Sequence, residues 1–230
     1  MYQRLDLTTS YYTVHGERTI MICSARIEKS QALTQDIIRL EILPENEQFS
    51  WLAGQWIDFS VRVEDQEHVA GYSICSAAGS GPFELLVRKS RHPVSLWLHS
   101  ADRSNTSVLI QGGSGECVYH PEKHDDIVCI AGGIGITPII SMLRTAYQVE
   151  KPATLYHSVK HRNELIFAHE FPEAHYVVTS EGQRLNFPHI AKKHGSSAHY
   201  FLCGPQSFID EAAHQLPLHG AQNVHFERWW

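Results

Sequence analysis

The stretch Ile127-Val-Cys-Ile-Ala-Gly-Gly-Ile-Gly-Ile-Thr-Pro-Ile-Ile-Ser-Met-Leu143 decides how the rest of the chain is read. It opens on an uninterrupted apolar run, Ile127 to Ala131, which suits a strand buried on both faces in a parallel sheet covered by helices. It breaks at Gly132, Gly133 and Gly135, then resumes with Ile139, Leu143, Ala146 and Tyr147 at helical spacing. Thr137 before Pro138 predicts an N-cap at Thr137 and the first helical position at Pro138, where a missing N–H costs a helix nothing. The expectation is a strand, a glycine turn and a helix N-terminus whose free amides face the turn. Such an end attracts phosphate, and the glycines admit a bulky ligand to the backbone. The spacing Gly-Gly-x-Gly-x-x-Pro is not the G-x-G-x-x-G dinucleotide fingerprint. Taken alone, the stretch is also readable as a tight strand-to-helix turn without a ligand.

Downstream, strand and helix alternate. Strands are expected at Thr154 to Val159, His175 to Thr179, His199 to Cys203 and Val224 to Phe226, and helices at Asn163 to Phe171, Pro188 to His194 and Gln206 to Leu216. This is the rhythm of an α/β parallel-sheet domain. Upstream, from about Arg18 to Val118, the chain reads as short strands between turn signals. Ile38, Leu40 and Ile42 share one face; Ile57, Phe59, Val61 and Val63 alternate with Trp56, Asp58, Ser60 and Arg62. Further strands at Val69 to Ser76, Phe83 to Lys89 and from Ser107, with a helix at Ser95 to Ser100, predict a small antiparallel β-barrel. A second glycine cluster, Gly112-Gly113-Ser114-Gly115, reads as a loop or hairpin turn with no phosphate role. The domains expected are an N-terminal extension (1–17), a β-barrel (18–120) and an α/β nucleotide-binding domain (121–230), divided near Pro121 and its charged neighbours.

Composition narrows the class. In 230 residues, 43% are hydrophobic and 19% charged, as in a globular chain with a sizeable core. The net charge of −6 and the lack of a Lys/Arg block argue against nucleic acid. No apolar run approaches a membrane span. Met1 to Glu17 has no signal-peptide core and little Arg, so the cytoplasm is the expected compartment. Five scattered cysteines without C-x-x-C give no disulfide scaffold. Sixteen histidines invite a metal reading, but His120/His124 flank Pro121 and His157/His161 begin on a strand. Without H-E-x-x-H or a Cys/His pairing, no metal is expected.

Four motifs occur in order: Gly54-Gln55-Trp56, Tyr72-Ser73-Ile74-Cys75-Ser76, the glycine turn, and Cys203-Gly204-Pro205. Together they resemble the ferredoxin–NADP⁺ reductase family over roughly residues 20 to 230. His92-Pro93 before Ser95 to His99, and the ending Phe226-Glu-Arg-Trp-Trp230, look like the oxidoreductase NAD-binding domain-containing proteins within it. The resemblance implies a two-domain flavoprotein in which nicotinamide passes hydride to flavin N5 and electrons go on to an unidentified acceptor, a redox protein among the candidates.

The resemblance also assigns residues. Tyr72 would pack on the flavin ring, Ser73 lie near N5, and Ile74 and Cys75 continue that motif. Val87 and Arg88 would border the ring with their backbone, while Pro93 and Ser95 belong to a helix start beneath the flavin phosphates. Gly132, Gly133, Gly135, Thr137 and Pro138 match the pyrophosphate turn. Cys203, Gly204 and Pro205 match the loop beside the nicotinamide. Glu227 and Trp229, with Trp230, match a C-terminal Glu-x-aromatic that covers the flavin. Ser73, Cys203 and Glu227 are the candidates for tuning the chemistry. Each also has a plain structural reading: core filling for Cys203, a strand hydroxyl for Ser73, a surface carboxylate for Glu227.

One departure bears on the flavin. The family's Arg-x-Tyr-Ser has Ala70 in place of Arg, and Ala cannot clamp a phosphate. Either flavin binds more weakly or Arg88, Lys89 or Arg91 substitutes, which leaves FAD and FMN both open. Two alternatives follow: a reductase that releases reduced flavin, and a nucleotide-binding module impaired in catalysis. On the adenosine side, Ser158, Lys160 and Arg162 suit a 2′-phosphate, whereas Glu181 suits the 2′-hydroxyl of NADH; the lean is to NADH.

Overall fold

The computed structural model describes residues 11–15 and 18–227. The chain divides into two compact units, Met1–Ser114 and Gly115–Trp230. In the first, β1 (Tyr11–His15), β2 (Arg18–Ala32), β3 (Ile37–Pro44), β4 (Ser50–Trp51), β5 (Trp56–Val63), β6 (Gln66–Ser73), β7 (Gly79–Ser80) and β8 (Phe83–Arg88) precede α1 (Pro93–Ser100) and β9 (Thr106–Ser114). The main sheet is antiparallel in the order β6-β5-β9-β2-β3-β8, with β1 on β2 and β4 paired separately with β7. Ile74, just past β6, bridges Leu85 of β8. The two ends of the strand path are thereby drawn together, and the sheet curls into an antiparallel half-barrel where the alternation predicts a small antiparallel barrel.

That alternation is the physical cause of the curl. Ile57, Phe59 and Val61 on β5 and Ile38, Leu40 and Ile42 on β3 all point into one core with Phe83 and Leu85. Each such side chain contributes about 1.5–3 kcal/mol through burial. Glu64 and Asp65 join β5 to β6 with φ of 50° and 61°, the left-handed pair that a two-residue hairpin demands. The glycine cluster is not the expected loop. Gly112 and Gly113 belong to β9, with Gly112 opposite both Met21 and Ile57. A Cβ on Gly112 would lie 2.8 Å from Ile57 Cγ2 and 2.9 Å from the Trp56 carbonyl oxygen. These glycines let two strands approach closely, and a turn is not their task.

The second unit holds β10 (Ile127–Gly132), α2 (Ile136–Gln148), β11 (Ala153–Val159), β12 (His175–Val178), α3 (Phe187–His194), β13 (His199–Cys203), α4 (Gln206–Leu218) and β14 (Asn223–Phe226). Its five strands are all parallel, in the order β12-β11-β10-β13-β14. Every residue of β10 is buried, as the apolar run requires of the central strand.

Residues Asn163 to Phe171 are not the helix expected. A single 3₁₀ turn, Arg162–Glu164, is followed by further turns whose amides reach three residues back, Ala168 to Leu165 and Glu170 to Phe167. Phe167 and Phe171 are both buried, and Arg144 on α2 grips Glu170 through two bonds of 2.7 and 2.9 Å. These tertiary anchors hold the tighter winding against the helical pattern. Among the described residues no helix is long and apolar enough to cross a membrane.

Candidate functional site

In the parallel sheet, the chain moves from β10 through β11 to β12 on one side, then returns to place β13 and β14 on the other. The direction reverses between β10 and β13, and open α/β sheets bind ligands beyond the strand ends at such a reversal. The glycine turn stands there, at the end of β10. Gly133 has φ +55°, and a Cβ on it would meet nothing within 4 Å, so open space borders the turn. On the opposite side the turn is packed hard. A Cβ on Gly135 would lie 2.6 Å from the Cys203 carbonyl group and from the Gly204 nitrogen, and one on Gly132 would lie 3.0 Å from Pro205 Cδ. Gly204 returns the contact, its own Cβ position being 3.0 Å from Gly132 Cα. The two expected nucleotide motifs therefore interlock backbone to backbone.

The helix after the turn starts differently from the sequence expectation. Gly133–Gly135 forms a 3₁₀ turn, and α2 begins at Ile136 with Gly135 as N-cap. Thr137 is thus inside the first turn, buried, its hydroxyl donating to the Ile134 carbonyl at 3.1 Å. Close packing of Gly135 under Cys203 winds the chain earlier than Thr137 can cap it. Pro138 still falls in the first turn, where the absent N–H has no partner to lose.

Sequence periodicity does not single out His157, yet it supports the turn directly. It sits on β11 opposite Ala131, one position before Ser158 pairs with Gly132. Its Nε2 lies 3.0 Å from the Gly133 carbonyl oxygen. A carbonyl only accepts, so Nε2 carries the hydrogen. The available signal was a buried polar residue inside an apolar strand, between Tyr156 and Val159.

Cys203 ends β13, almost fully buried. Cys117, half-buried, has its thiol pushed up to about 12, first by burial and then by the neighbouring Cys203 thiol and Glu227 carboxylate. All three groups therefore crowd one locality at the end of β13. At the far edge, Arg162 holds Glu181 in a two-bond pair of 2.6 and 3.2 Å, both exposed. Lys160 projects exposed from the end of β11 while its carbonyl accepts from the Ser180 amide at 3.1 Å. The residues read as competing for phosphate and hydroxyl are thus brought together.

In the first unit, Tyr72 is the penultimate residue of β6, packed edge-on to Phe59 at 6.0 Å, and burial pushes its hydroxyl up to about 12. Ser73 ends the strand half-buried. Ile74 and Cys75 are wholly buried, with the Cys75 amide bonded to the Glu84 carbonyl. Val87 is buried beside the half-buried Arg88 at the end of β8. Helix α1 starts at Pro93, two residues before Ser95, and His92 caps it through Nδ1 to the Val94 amide at 3.3 Å. Ser95 Oγ is committed locally: it accepts from the Ser90 amide (2.9 Å) and donates to the Arg88 carbonyl (3.2 Å). It shapes the loop that carries Arg88, Lys89 and Arg91. Trp229 and Trp230 lie outside the described residues.

Residues 129–214 match the oxidoreductase NAD-binding domain family. The ferredoxin NADP⁺ reductase of Neisseria gonorrhoeae, solved with bound FAD and NADP, superposes with a TM-score of 0.75 at 19% identity, covering 90% of this chain and 98% of that one. The fold of this chain is ferredoxin reductase-like. The human oxidoreductase NAD-binding domain-containing protein 1 is 28% identical across 95% of this chain and 85% of its own. Full-length CYP116B46 of Tepidiphilus thermophilus gives a TM-score of 0.78 at 23% identity; the match covers 91% of this chain and spans 29% of that protein. The domain match falls on the second unit, and the fold likeness covers about nine-tenths of the chain.

Proposed function

We propose that the protein is a flavin-dependent NAD(P)H oxidoreductase that passes electrons to an acceptor of its own, a redox protein among the candidates. The observation that carries this reading is the interlock of Gly132–Gly135 with Cys203-Gly204-Pro205 at the reversal of the parallel sheet. When bound, nicotinamide supplies a hydride at C4 and flavin accepts it at N5.

The residues fit both groups. Open space beside Gly133, left by the missing Cβ, suits a pyrophosphate against the turn and the start of α2. His157 keeps the Gly133 carbonyl turned inward, so that the turn does not offer that oxygen to an anion. Cys203 and Glu227 border the nicotinamide end, and the high-lying Cys117 thiol keeps that locality free of an added thiolate charge. In the first unit, Tyr72 and Ser73 face the flavin, while Arg88, Lys89 and Arg91 beside the start of α1 take the phosphate role that Ala70 cannot fill. FAD is favoured, because the Neisseria gonorrhoeae reductase of like fold was solved with bound FAD. Glu181, by occupying Arg162, favours NADH over NADPH.

The test is direct. The purified chain should show flavin bands near about 370 and 450 nm, and anaerobic NADH should bleach the second. A colourless protein that neither binds added FAD nor oxidises NADH or NADPH overturns the proposal. Ala70 favours one second reading, a reductase that releases reduced flavin; loss of colour on gel filtration, with NADH oxidation restored by added flavin, selects it.

A further inference from the structure

The second unit also carries a group of side chains that the redox reading leaves without a task. His124 lies in the turn before β10, His199 opens β13 and His225 sits on β14; one ring nitrogen from each lies within 4.8 Å of the others. Topology assembles them. In the β13–β14 register, Phe201 stands opposite His225 and His199 opposite Asn223, so the two histidines are diagonal neighbours. The His199 amide bonds to the Asp126 carbonyl at 2.9 Å, which draws the His124 turn against the same strand. Phe201 and Tyr119 wall the group, with ring centroids 5.2 Å and 5.9 Å from His124 and Phe201 4.7 Å from His225. The rings are therefore held by packing before any ligand arrives.

The spacing is that of metal ligands. His199 Nδ1 and His225 Nε2 are 3.1 Å apart. Two nitrogens on one tetrahedral Zn²⁺, each at about 2.0–2.1 Å, stand about 3.3 Å apart. Without metal, the ring N–H of one histidine bridges this pair; coordination needs both lone pairs, so that ring shifts its hydrogen to its other nitrogen through solvent. His124 must draw in to complete the set. Its Nδ1 accepts from the His120 amide at 3.1 Å, and a neutral imidazole has one lone pair, so coordination exchanges that contact for the metal. An all-imidazole donor set selects zinc, copper or nickel and disfavours magnesium or calcium.

We propose that His124, His199 and His225 form a Zn²⁺ site that clips the turn before β10 to the last two strands of the sheet. The site stands apart from the nucleotide turn and does not depend on the redox reading.

The test uses the full chain without a histidine tag, stripped with EDTA and dialysed at pH 7.5. Calorimetric titration with Zn²⁺ should give one equivalent bound at about micromolar affinity or tighter, with a rise in melting temperature. His199→Gln and His225→Gln should each weaken binding at least about tenfold. Co²⁺ added to the unaltered protein should give the strong visible bands of a tetrahedral nitrogen site, a readout that needs no variant to fold. Weak binding at several equivalents, octahedral Co²⁺ spectra, or full affinity in a folded His225→Gln variant would each show that surface histidines alone bind metal, and would overturn the proposal.

Discussion

His157 donates from Nε2 to the Gly133 carbonyl across 3.0 Å, tying β11 to the turn at the end of β10. The same oxygen accepts from the Ile136 amide, so one carbonyl joins β11, the turn and the start of α2. A His157→Phe variant takes this donor from a half-buried carbonyl that keeps the Ile136 amide, at a cost of about 0.5–1.5 kcal/mol. NADH affinity, measured by titration, should fall about tenfold or more while flavin absorbance stays unchanged. Equal loss of flavin would place the effect in general unfolding and refute the positioning role.

Gly133 and Gly135 should respond differently to alanine. At Gly135 a Cβ would press on the Cys203 and Gly204 backbone at 2.6 Å, so Gly135→Ala must move one of the two turns and should cost about 1–3 kcal/mol or more. At Gly133 the added Cβ meets open space, and only the φ of +55° is strained, about 1 kcal/mol. Denaturant titration should show Gly135→Ala the less stable, while Gly133→Ala, whose Cβ enters the space proposed for the pyrophosphate, should weaken nucleotide binding with the smaller loss of stability.

Arg162 and Glu181 neutralise one another at the edge of the sheet. Removing the carboxylate with Glu181→Ala frees the guanidinium for a 2′-phosphate. The ratio of kcat/KM for NADPH to that for NADH should rise about tenfold, in line with one charge-assisted contact. Arg162→Ala should move it the other way. A ratio unchanged in both variants would remove this pair from nucleotide selection.

Burial pushes the Cys117 thiol up to about 12 and that of Cys23 to about 11. Both are therefore thiols at pH 8, and a thiol is a poor nucleophile. Iodoacetamide at that pH should label neither in the native protein and both after denaturation, as read by peptide mass. Rapid native labelling of Cys117 would contradict its placement.

His194 bonds to the Tyr156 hydroxyl at 2.9 Å and lies beside Lys193 and His175. Burial, then Lys193, lowers its pKa below the ordinary 6.5, and His175 is lowered by the same causes. The unfolded chain thus holds protons that the folded one refuses, so stability is full above about pH 6.5 and declines as pH falls through the folded values. Melting temperature should drop between about pH 6.5 and 5, and His194→Asn should flatten that slope. An identical slope in the variant would exonerate His194.

Much of the architecture is written locally. Alternation on β3 and β5, the all-apolar β10 and the glycine turn set an antiparallel sheet before an α/β unit, and β13 runs over the very residues its pattern predicts, His199 to Cys203. Periodicity reports which face of an element avoids water, and that suffices for such elements. What it does not report is the neighbour. That α2 starts at Ile136, that Gly112 sits in a strand, that residues 163–171 wind as turns, and that His157 reaches Gly133 were all decided by contacts between segments distant in the chain. The pairing of Arg162 with Glu181 and the meeting of His124, His199 and His225 belong to the same class. Local pattern selects the elements; only their packing brings particular atoms within bonding distance, and the chemistry of the site is made at that scale.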